Sequence, residues 1–463
     1  MAGPARHVGI KALEIYFPNQ CVDQAELERF QGVAPGKFTI GLGQTRMAFC
    51  DDREDIYSLA LTAVSSLLRK HGVDPRSIGR VEVGTESPLD KSKSCKSVLM
   101  QLFESSGNLN IMGCDTFNAC YGGTNALFNA ANWIESASWD GRDAIVVAGD
   151  IALYNQPAAR PTGGAGCVAM LVGPDAPLVL DAGLNGSFFK HTYDFYKADF
   201  KSEYPIVDGQ YSIQCYTEAV DACYKHYNDR KAALAQSRST TEGTALDFFD
   251  YMAFHAPTCK LVEKSYARLL YNDYVADPDN PRFATVPAEL RGLGFWESLK
   301  NKAVEKTFVA LAKETFTARV QPALTVPTLC GNMYTASVYG ALIGLLCSVG
   351  SENLQGKRVG IFSYGSGLAS SLFSLTVRAD VSDMLRKIDL QARLDQRHIL
   401  PPDVYDKACE IREQAYQKSD FTPVGDTARL LPGTYYLTRV DDMFRRTYQV
   451  KQTSKCSSSI VHC

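Results

Sequence analysis

Two stretches of this 463-residue chain have the make-up of helices that suit burial between layers better than exposure, and they constrain the fold more than any other feature. The first follows Asn118-Ala-Cys-Tyr-Gly-Gly-Thr, where Ala126, Ala130 and Ala131, with Leu127 and Ile134, set small and aliphatic residues at helical spacing. The second runs from Gly331 through Tyr339 to Leu346 and is again rich in small residues. Each is followed by the same grammar. Ala144 to Asp150 and Cys167 to Gly173 read as strands after the first, Val359 to Tyr364 and Ala369 to Val377 after the second, with roughly 25 residues from helix head to first strand in both. This predicts an α/β chain built on a duplicated unit, with two buried helices of small residues. A series of helix, strand and strand is common to α/β chains, so the duplication rests on the matched spacing.

The expected organisation is a first half over 1–184, an elaborated wall and connecting helix over 185–244, a second half with insertions over 245–450, and a disordered Ser/Cys-rich tail over 451–463. Glu54 to His71 is a strongly amphipathic helix stopped by Gly72. The stretch between Asn185 and Tyr216 is dense in Tyr, Phe, Lys and Asp without simple periodicity, and reads as a lid or wall; helix resumes from Glu218 to Gln236, before a polar linker from Ser237 to Thr244.

A net charge of −3 gives no reason to expect nucleic acid or an anionic membrane as the main partner. Fourteen cysteines without a Cys-x-x-Cys pair point to reduced thiols, not to a zinc ribbon or a disulfide scaffold. The N-terminus leaves no room for a transit peptide, and the longest apolar run is too short and too rich in Gly and Ser to span a membrane, so a cytoplasmic protein is expected. Walker and Gly-x-Gly-x-x-Gly patterns are missing, which removes support for nucleotide hydrolysis and nicotinamide chemistry.

Cys120 stands where a short strand turns into the first central helix. A thiol there feels unpaired N–H groups and the positive end of the helix dipole, which favour thiolate; the competing reading is an inert core cysteine. His255 closes the strand from Phe248 and can donate to a carbonyl or steady a charge near neutral pH, or simply be structural. Asn332, at the head of the second central helix, can offer an amide N–H to an oxyanion or serve as an N-cap. Glu86, at a strand's carboxyl end, can act as a base toward a carbon acid if partly desolvated, or be one more loop carboxylate. Together they make an acyl-transfer set with an added carbon-acid base.

Long motifs then bring a family into view. Glu82-Val-Gly-Thr-Glu-Ser, Asp90-Lys-Ser-Lys-Ser, Asn118-Ala-Cys-Tyr-Gly-Gly-Thr, Trp133-Ile-Glu-Ser-Ala-Ser-Trp-Asp-Gly-Arg, Ala159-Arg-Pro-Thr-Gly-Gly, Tyr193-Asp-Phe-Tyr-Lys, Ser202-Glu-Tyr-Pro-Ile-Val-Asp-Gly, Gly331-Asn-Met-Tyr-Thr-Ala-Ser-Val-Tyr and Phe362-Ser-Tyr-Gly-Ser-Gly resemble eukaryotic hydroxymethylglutaryl-CoA synthase, from about residue 7 to about residue 450. The resemblance implies a thiolase-like duplicated α/β fold of layered helices and mixed sheets with buried central helices, a homodimer, no metal or cofactor, and a place in mevalonate and isoprenoid biosynthesis. It implies that acetyl-CoA and acetoacetyl-CoA are the substrates. Cys120 matches the nucleophile that takes the acetyl group, Glu86 the acid/base that deprotonates its methyl, and His255 the histidine that holds acetoacetyl-CoA by its thioester oxygen. Asp90, Asp150 and Asp194 match supporting carboxylates. Asn332 and Ser366 match residues around the acyl chain, and Lys37, Thr162, Ser212, Lys260 and Lys264 match contacts with CoA or its acyl arm. Pro35 and Ala158 depart from the family, standing where animal members are expected to have a small non-proline residue and an amide. Two competing readings stay open: a ketosynthase or thiolase on the same fold, for which Cys330 is the tempting second cysteine, and a non-catalytic acyl-CoA sensor.

Overall fold

The computed structural model describes residues 7–234 and 243–453. Most of the expected polar linker, and the tail from residue 454 on, lie outside the described residues. Nine strands form one mixed sheet: β1 (Gly9–Tyr16), β2 (Ile78–Gly84), β3 (Asp115–Thr116), β4 (Asp143–Ala152), β5 (Gly164–Gly173), β6 (Leu178–Phe189), β7 (Tyr251–Phe254), β8 (Arg358–Gly365) and β9 (Ala369–Val377). Their spatial order is β7-β8-β9-β6-β1-β5-β4-β2-β3.

The duplication is visible in the pairing. In the first half β2 runs parallel to β4, β4 antiparallel to β5 and β5 antiparallel to β1. In the second β7 runs parallel to β8, β8 antiparallel to β9 and β9 antiparallel to β6. The halves join where β1 meets β6, through Gly9 opposite Val179 and Ile10 opposite Leu178. Strand β6 is therefore the second half's counterpart of β1, and the boundary expected after residue 184 falls inside it: Asn185 pairs with Phe373 on the same strand whose Leu178 pairs with Val377. The strand keeps β9 beside it along its length while β1 pairs only with its first two residues, so the halves share one continuous strand with no loop between them.

The small-residue stretches form the central layer. Helices α1 (Ile56–His71), α2 (Gly122–Glu135) and α3 (Ser337–Val349) illustrate the arrangement. Because side chains alternate across a strand, Ala144, Val146 and Ala148 of β4 join the central core with α2 and α3, while Ile145 and Val147 join the outer core under α1. Helix α1 starts on an Asp55 capping box with Ser58 and stops at Gly72 in the left-handed region, as its spacing predicts. Small residues let the central layers touch. A Cβ on Gly123 of α2 would lie 2.6 Å from Ala148 Cβ and 3.1 Å from the Thr335 carbonyl oxygen, and Thr124 meets the Tyr339 hydroxyl of α3 at 2.8 Å.

Several boundaries differ from expectation. The second central helix begins at Ser337, not near Gly331, because Gly331 closes a separate six-residue helix (Thr325–Cys330) and a 3-10 turn (Tyr334–Ala336) lies between it and Ser337. The helix read from Glu218 starts at Gly209 and runs to Leu234, its first turns hidden in a stretch whose polar and aromatic residues lack a 3.6 period. The polar segment from Asp380 to Lys418 is three helices separated by a short strand. No helix among the described residues is long and apolar enough to cross a membrane.

Candidate active site

The site lies where the carboxyl ends of β2 and β4 meet the head of α2. The chain passes from β3 to α2 within a few residues, and Cys120 occupies that turn with φ of 50°, in the left-handed region that costs a non-glycine residue strain. The turn is pressed from the other half: a Cβ on Gly365, the last residue of β8, would come within 1.6 Å of the Ala119 carbonyl oxygen. Glu86, two residues beyond β2, turns its carboxylate onto this turn, and the Cys120 backbone N–H donates to Glu86 Oε2 at 2.5 Å. Both residues are buried.

Asp150, fully buried in β4, organises the surroundings. Its Oδ1 accepts from the Thr85 hydroxyl at 2.7 Å, the Glu86 N–H at 2.8 Å and the Ser87 hydroxyl at 2.9 Å. Its Oδ2 accepts from Thr335 N–H at 3.0 Å and the Thr335 hydroxyl at 2.5 Å, so one carboxylate ties the Glu86 loop to the approach of the second central helix. Burial first, then the neighbouring Glu86 carboxylate, lift the Asp150 pKa to about 6.

These charges overturn one expectation. Burial, reinforced by Glu86 and Asp150, pushes the Cys120 thiol well above its usual pKa, with Lys197 pulling the other way. A helix terminus contributes on the order of 0.5–2 kcal/mol, too little to offset desolvation beside two carboxylates. Burial and the two carboxylates therefore favour the thiol form of Cys120 over the thiolate. Tyr121, not Cys120, precedes the first helical residue, which further removes the sulfur from the dipole.

His255 lies just beyond β7 and continues its pairing, its N–H donating to the Phe362 carbonyl at 2.8 Å. The Tyr216 hydroxyl donates to the His255 carbonyl at 2.6 Å. Burial lowers the imidazole pKa to about 3, and Nδ1 has no hydrogen-bond partner among the described residues. His255 is thus a neutral donor or acceptor near pH 7, not a cation that steadies charge. Asn332 is not at a helix head. Its N–H donates to the Gly163 carbonyl at 3.0 Å and its Oδ1 accepts from Tyr334 N–H at 2.9 Å, two residues on, where the 3-10 turn begins.

A second carboxylate gathers the wall. Asp194 accepts from Thr192 at 2.8 Å, the Tyr364 hydroxyl at 3.0 Å, Gly367 N–H at 3.0 Å and Ser212 at 3.3 Å. Burial alone would raise its pKa, but Ser366, Gly367 N–H, Thr192 and Tyr364 together hold it below the usual value. Tyr364 packs on Tyr216, ring centroids 4.8 Å apart, and Tyr216 packs toward His255, which connects this network to the histidine.

The remaining candidates divide. Thr162 donates to the Ala159 carbonyl at 2.7 Å and lies beside Tyr154, which packs with Tyr334 and Phe195 around Cys120. Lys37, exposed, sits in a loop pinned by Glu28, which accepts from the Gly36, Phe38 and Thr39 N–H groups. That loop docks on the helix Cys259–Ala276 through Lys260 N–H to the Leu42 carbonyl at 3.0 Å. Lys260 pairs with Glu263, and Lys264 with Glu305 at 3.0 Å. An open cleft of about 780 Å³ beside them is lined by Ile40, Gly43, Lys260 and Lys313 among others. Asp90 does not join the centre: it is exposed and accepts from the Ser92 and Lys93 N–H groups of its own loop, each at 2.7 Å.

Three residues at the centre escaped the sequence reading. Lys197 places Nζ 3.0 Å from Glu86 Oε1 and 4.7 Å from the centroid of the Tyr334 ring. Thr335 and Tyr334 complete the walls. Lys197 and Tyr334 stand inside quoted motifs, yet a lysine in an aperiodic stretch reads as surface until the tertiary fold turns it inward.

Fold and site together define a thiolase-like enzyme with a buried cysteine beside a glutamate. Residues 4–177 match the family described as hydroxymethylglutaryl-coenzyme A synthase N terminal, and residues 178–451 match its C-terminal counterpart. A hydroxymethylglutaryl-CoA synthase of Zymoseptoria tritici is 66% identical, covering 98% of this chain and 100% of its own; that of Saccharomyces cerevisiae is 55% identical, covering 96% and 91%. The structure of MvaS in complex with 3-hydroxy-3-methylglutaryl coenzyme A superposes with a TM-score of 0.84 at 34% identity, covering 98% of this chain and all of that one. The chain belongs to the hydroxymethylglutaryl-CoA synthase family.

Proposed function

We propose that the chain condenses acetyl-CoA with acetoacetyl-CoA and water to give 3-hydroxy-3-methylglutaryl-CoA and CoA. The observation that carries the mechanism is the Glu86 carboxylate held against the main chain of Cys120 in a buried site. Cys120 sulfur attacks the acetyl-CoA carbonyl, its proton leaves, and CoA departs as the thiol. The product is an acetyl thioester on Cys120. Glu86 takes a proton from its methyl group, and the carbanion attacks the ketone carbon of acetoacetyl-CoA. The proton on Glu86 goes to the new alkoxide, and water cleaves the thioester to free Cys120. Neutral His255 donates to the thioester oxygen of acetoacetyl-CoA, while Asn332 and Ser366 border the acyl chain. Thr162, Ser212, Lys37, Lys260 and Lys264 hold the CoA arms, with the lysines meeting phosphate charge. Asp150 and Asp194 keep the walls in register.

The reaction as proposed needs no metal or cofactor, so dialysis against a chelator should leave the rate unchanged. Mass spectrometry after mixing with acetyl-CoA should show one acetyl group on Cys120, and adding acetyl-CoA to enzyme and acetoacetyl-CoA should bleach the enolate absorbance. Condensation without the Cys120 adduct would overturn this mechanism. The setting proposed is the cytoplasm and the mevalonate route to isoprenoids. The working form proposed is a homodimer, supported by the open sheet edge at β3 and by Phe117 beside it, 70% exposed.

A further inference from the structure

Glu86 is asked to be a base and then an acid, yet it is buried next to a second carboxylate and a thiol. Neither neighbour offers the Glu86 carboxylate a positive charge. The compensating charge comes from the wall. Lys197 follows the two-residue strand Phe195–Tyr196, which pairs with Ile206–Val207, and its side chain is only 18% exposed. Its Nζ is 3.0 Å from Glu86 Oε1, the one ion pair Glu86 makes among the described residues, and it stands 4.7 Å from the Tyr334 ring centroid and 5.8 Å from that of Phe195. The ammonium is thus boxed between a carboxylate and aromatic faces, with little freedom to swing away. The ionisable groups facing it are the Glu86 and Asp150 carboxylates, the Cys120 thiol and the phenols of Tyr334 and Tyr416.

We infer that Lys197 is a positioning residue for the condensation: by pairing with Glu86 Oε1 it keeps Glu86 ionised for methyl-proton abstraction and leaves Oε2 aimed at the acetyl group on Cys120. The inference rests on the proposed base role of Glu86. The geometry divides the carboxylate's two oxygens between two tasks, since Oε1 takes the ammonium and Oε2 takes the Cys120 N–H. Burial alone would lower the Lys197 pKa, but Glu86 and Asp150 raise it overall, so it stays charged throughout the working pH range. Loss of the cation removes the counter-charge at Oε1; it leaves the CoA contacts and His255 in place.

The test compares wild type, K197M, K197R and E86Q. K197M should still form the Cys120 acetyl adduct with KM for both thioesters within about threefold, while kcat falls on the order of 100-fold and the acidic limb of the pH–kcat profile moves up by about one unit or more. K197R should lie between wild type and K197M on both measures. Exchange of acetyl methyl protons with deuterated solvent should fall in parallel with kcat. If K197M loses its cooperative melt, K197R carries the test, since its planar cation meets Oε1 with altered geometry and shifts the limb the same way by less. An acidic limb and methyl exchange unmoved in the folded variant overturn the role of Lys197. If E86Q retains methyl exchange, the base role of Glu86 fails instead, and the two failures are told apart.

Discussion

The backbone N–H of Cys120 donates to the Glu86 side chain at 2.5 Å, so the Cys120 main chain and the Glu86 carboxylate are fixed to each other before any substrate arrives. The contact spans two elements of the first half, and Asp150 extends it to Thr335 in the second. A carbon-acid base must sit within hydrogen-bond reach of the proton it removes. That distance is set here by the protein alone.

The charge environment of Cys120 makes a prediction about thiol reactivity. Burial, Glu86 and Asp150 raise its pKa and Lys197 lowers it, so alkylation of Cys120 at pH 7 should be slow compared with an exposed thiol. E86Q removes a negative neighbour and should speed alkylation several-fold, whereas K197M should slow it further. Peptide-resolved labelling with iodoacetamide measures both, and equal rates in the two variants would contradict the electrostatic account.

His255 should remain neutral across the working range, because burial takes its pKa to about 3. Nitrogen-15 spectra of histidine-labelled protein should therefore show one imidazole that stays uncharged from pH 8 down to pH 5. H255A should raise KM for acetoacetyl-CoA by roughly tenfold or more, with the acetyl adduct on Cys120 still formed at near the parent rate.

Glu54 offers a stability test away from the chemistry. It is 1% exposed, bonded to the Tyr16 hydroxyl, and burial lifts its pKa from the ordinary 4.5 to about 8. The folded chain then holds this proton between pH 4.5 and 8 while the unfolded chain has released it, so the group's contribution is greatest below pH 4.5 and is lost as pH rises toward 8. E54Q abolishes that dependence. Its stability relative to the parent should rise by roughly 2–4 kcal/mol between pH 5 and pH 8, measured by denaturant unfolding. Parallel pH profiles for the two proteins would refute the assignment.

The turn at Cys120 should tolerate no side chain on Gly365, whose Cβ would overlap the Ala119 carbonyl oxygen. G365A should cost about 3 kcal/mol or more, or displace the turn and abolish the acetyl adduct. Thermal unfolding together with adduct formation checks it. A variant with parent stability and full adduct would show that the two halves are less tightly pressed together than the structure has them.

Much of the fold was legible from local pattern. Helix α1 carries its cap, stripe and glycine stop in sequence, and the strands Asp143–Ala152 and Gly164–Gly173 are largely apolar and buried almost throughout because both faces of the sheet are covered there. The candidate residues Cys120, Glu86 and Asp150 lie together in space. The start of the helix Gly209–Leu234, the intervening turns before Ser337 and the outward place of Asp90 were not legible, since none depends on a local hydrophobic period.

Two repeated units with small-residue helices were dictated by the chain itself, because packing a helix between layers requires small side chains at fixed spacing wherever it occurs. The ionisation of the site was decided only by tertiary structure. Whether Cys120 is thiol or thiolate, whether His255 is charged, and which cation faces Glu86 depend on burial and on charges brought together from Glu86, Asp150 and Lys197. Electrostatic energy follows distance and desolvation in space, which no local spacing encodes.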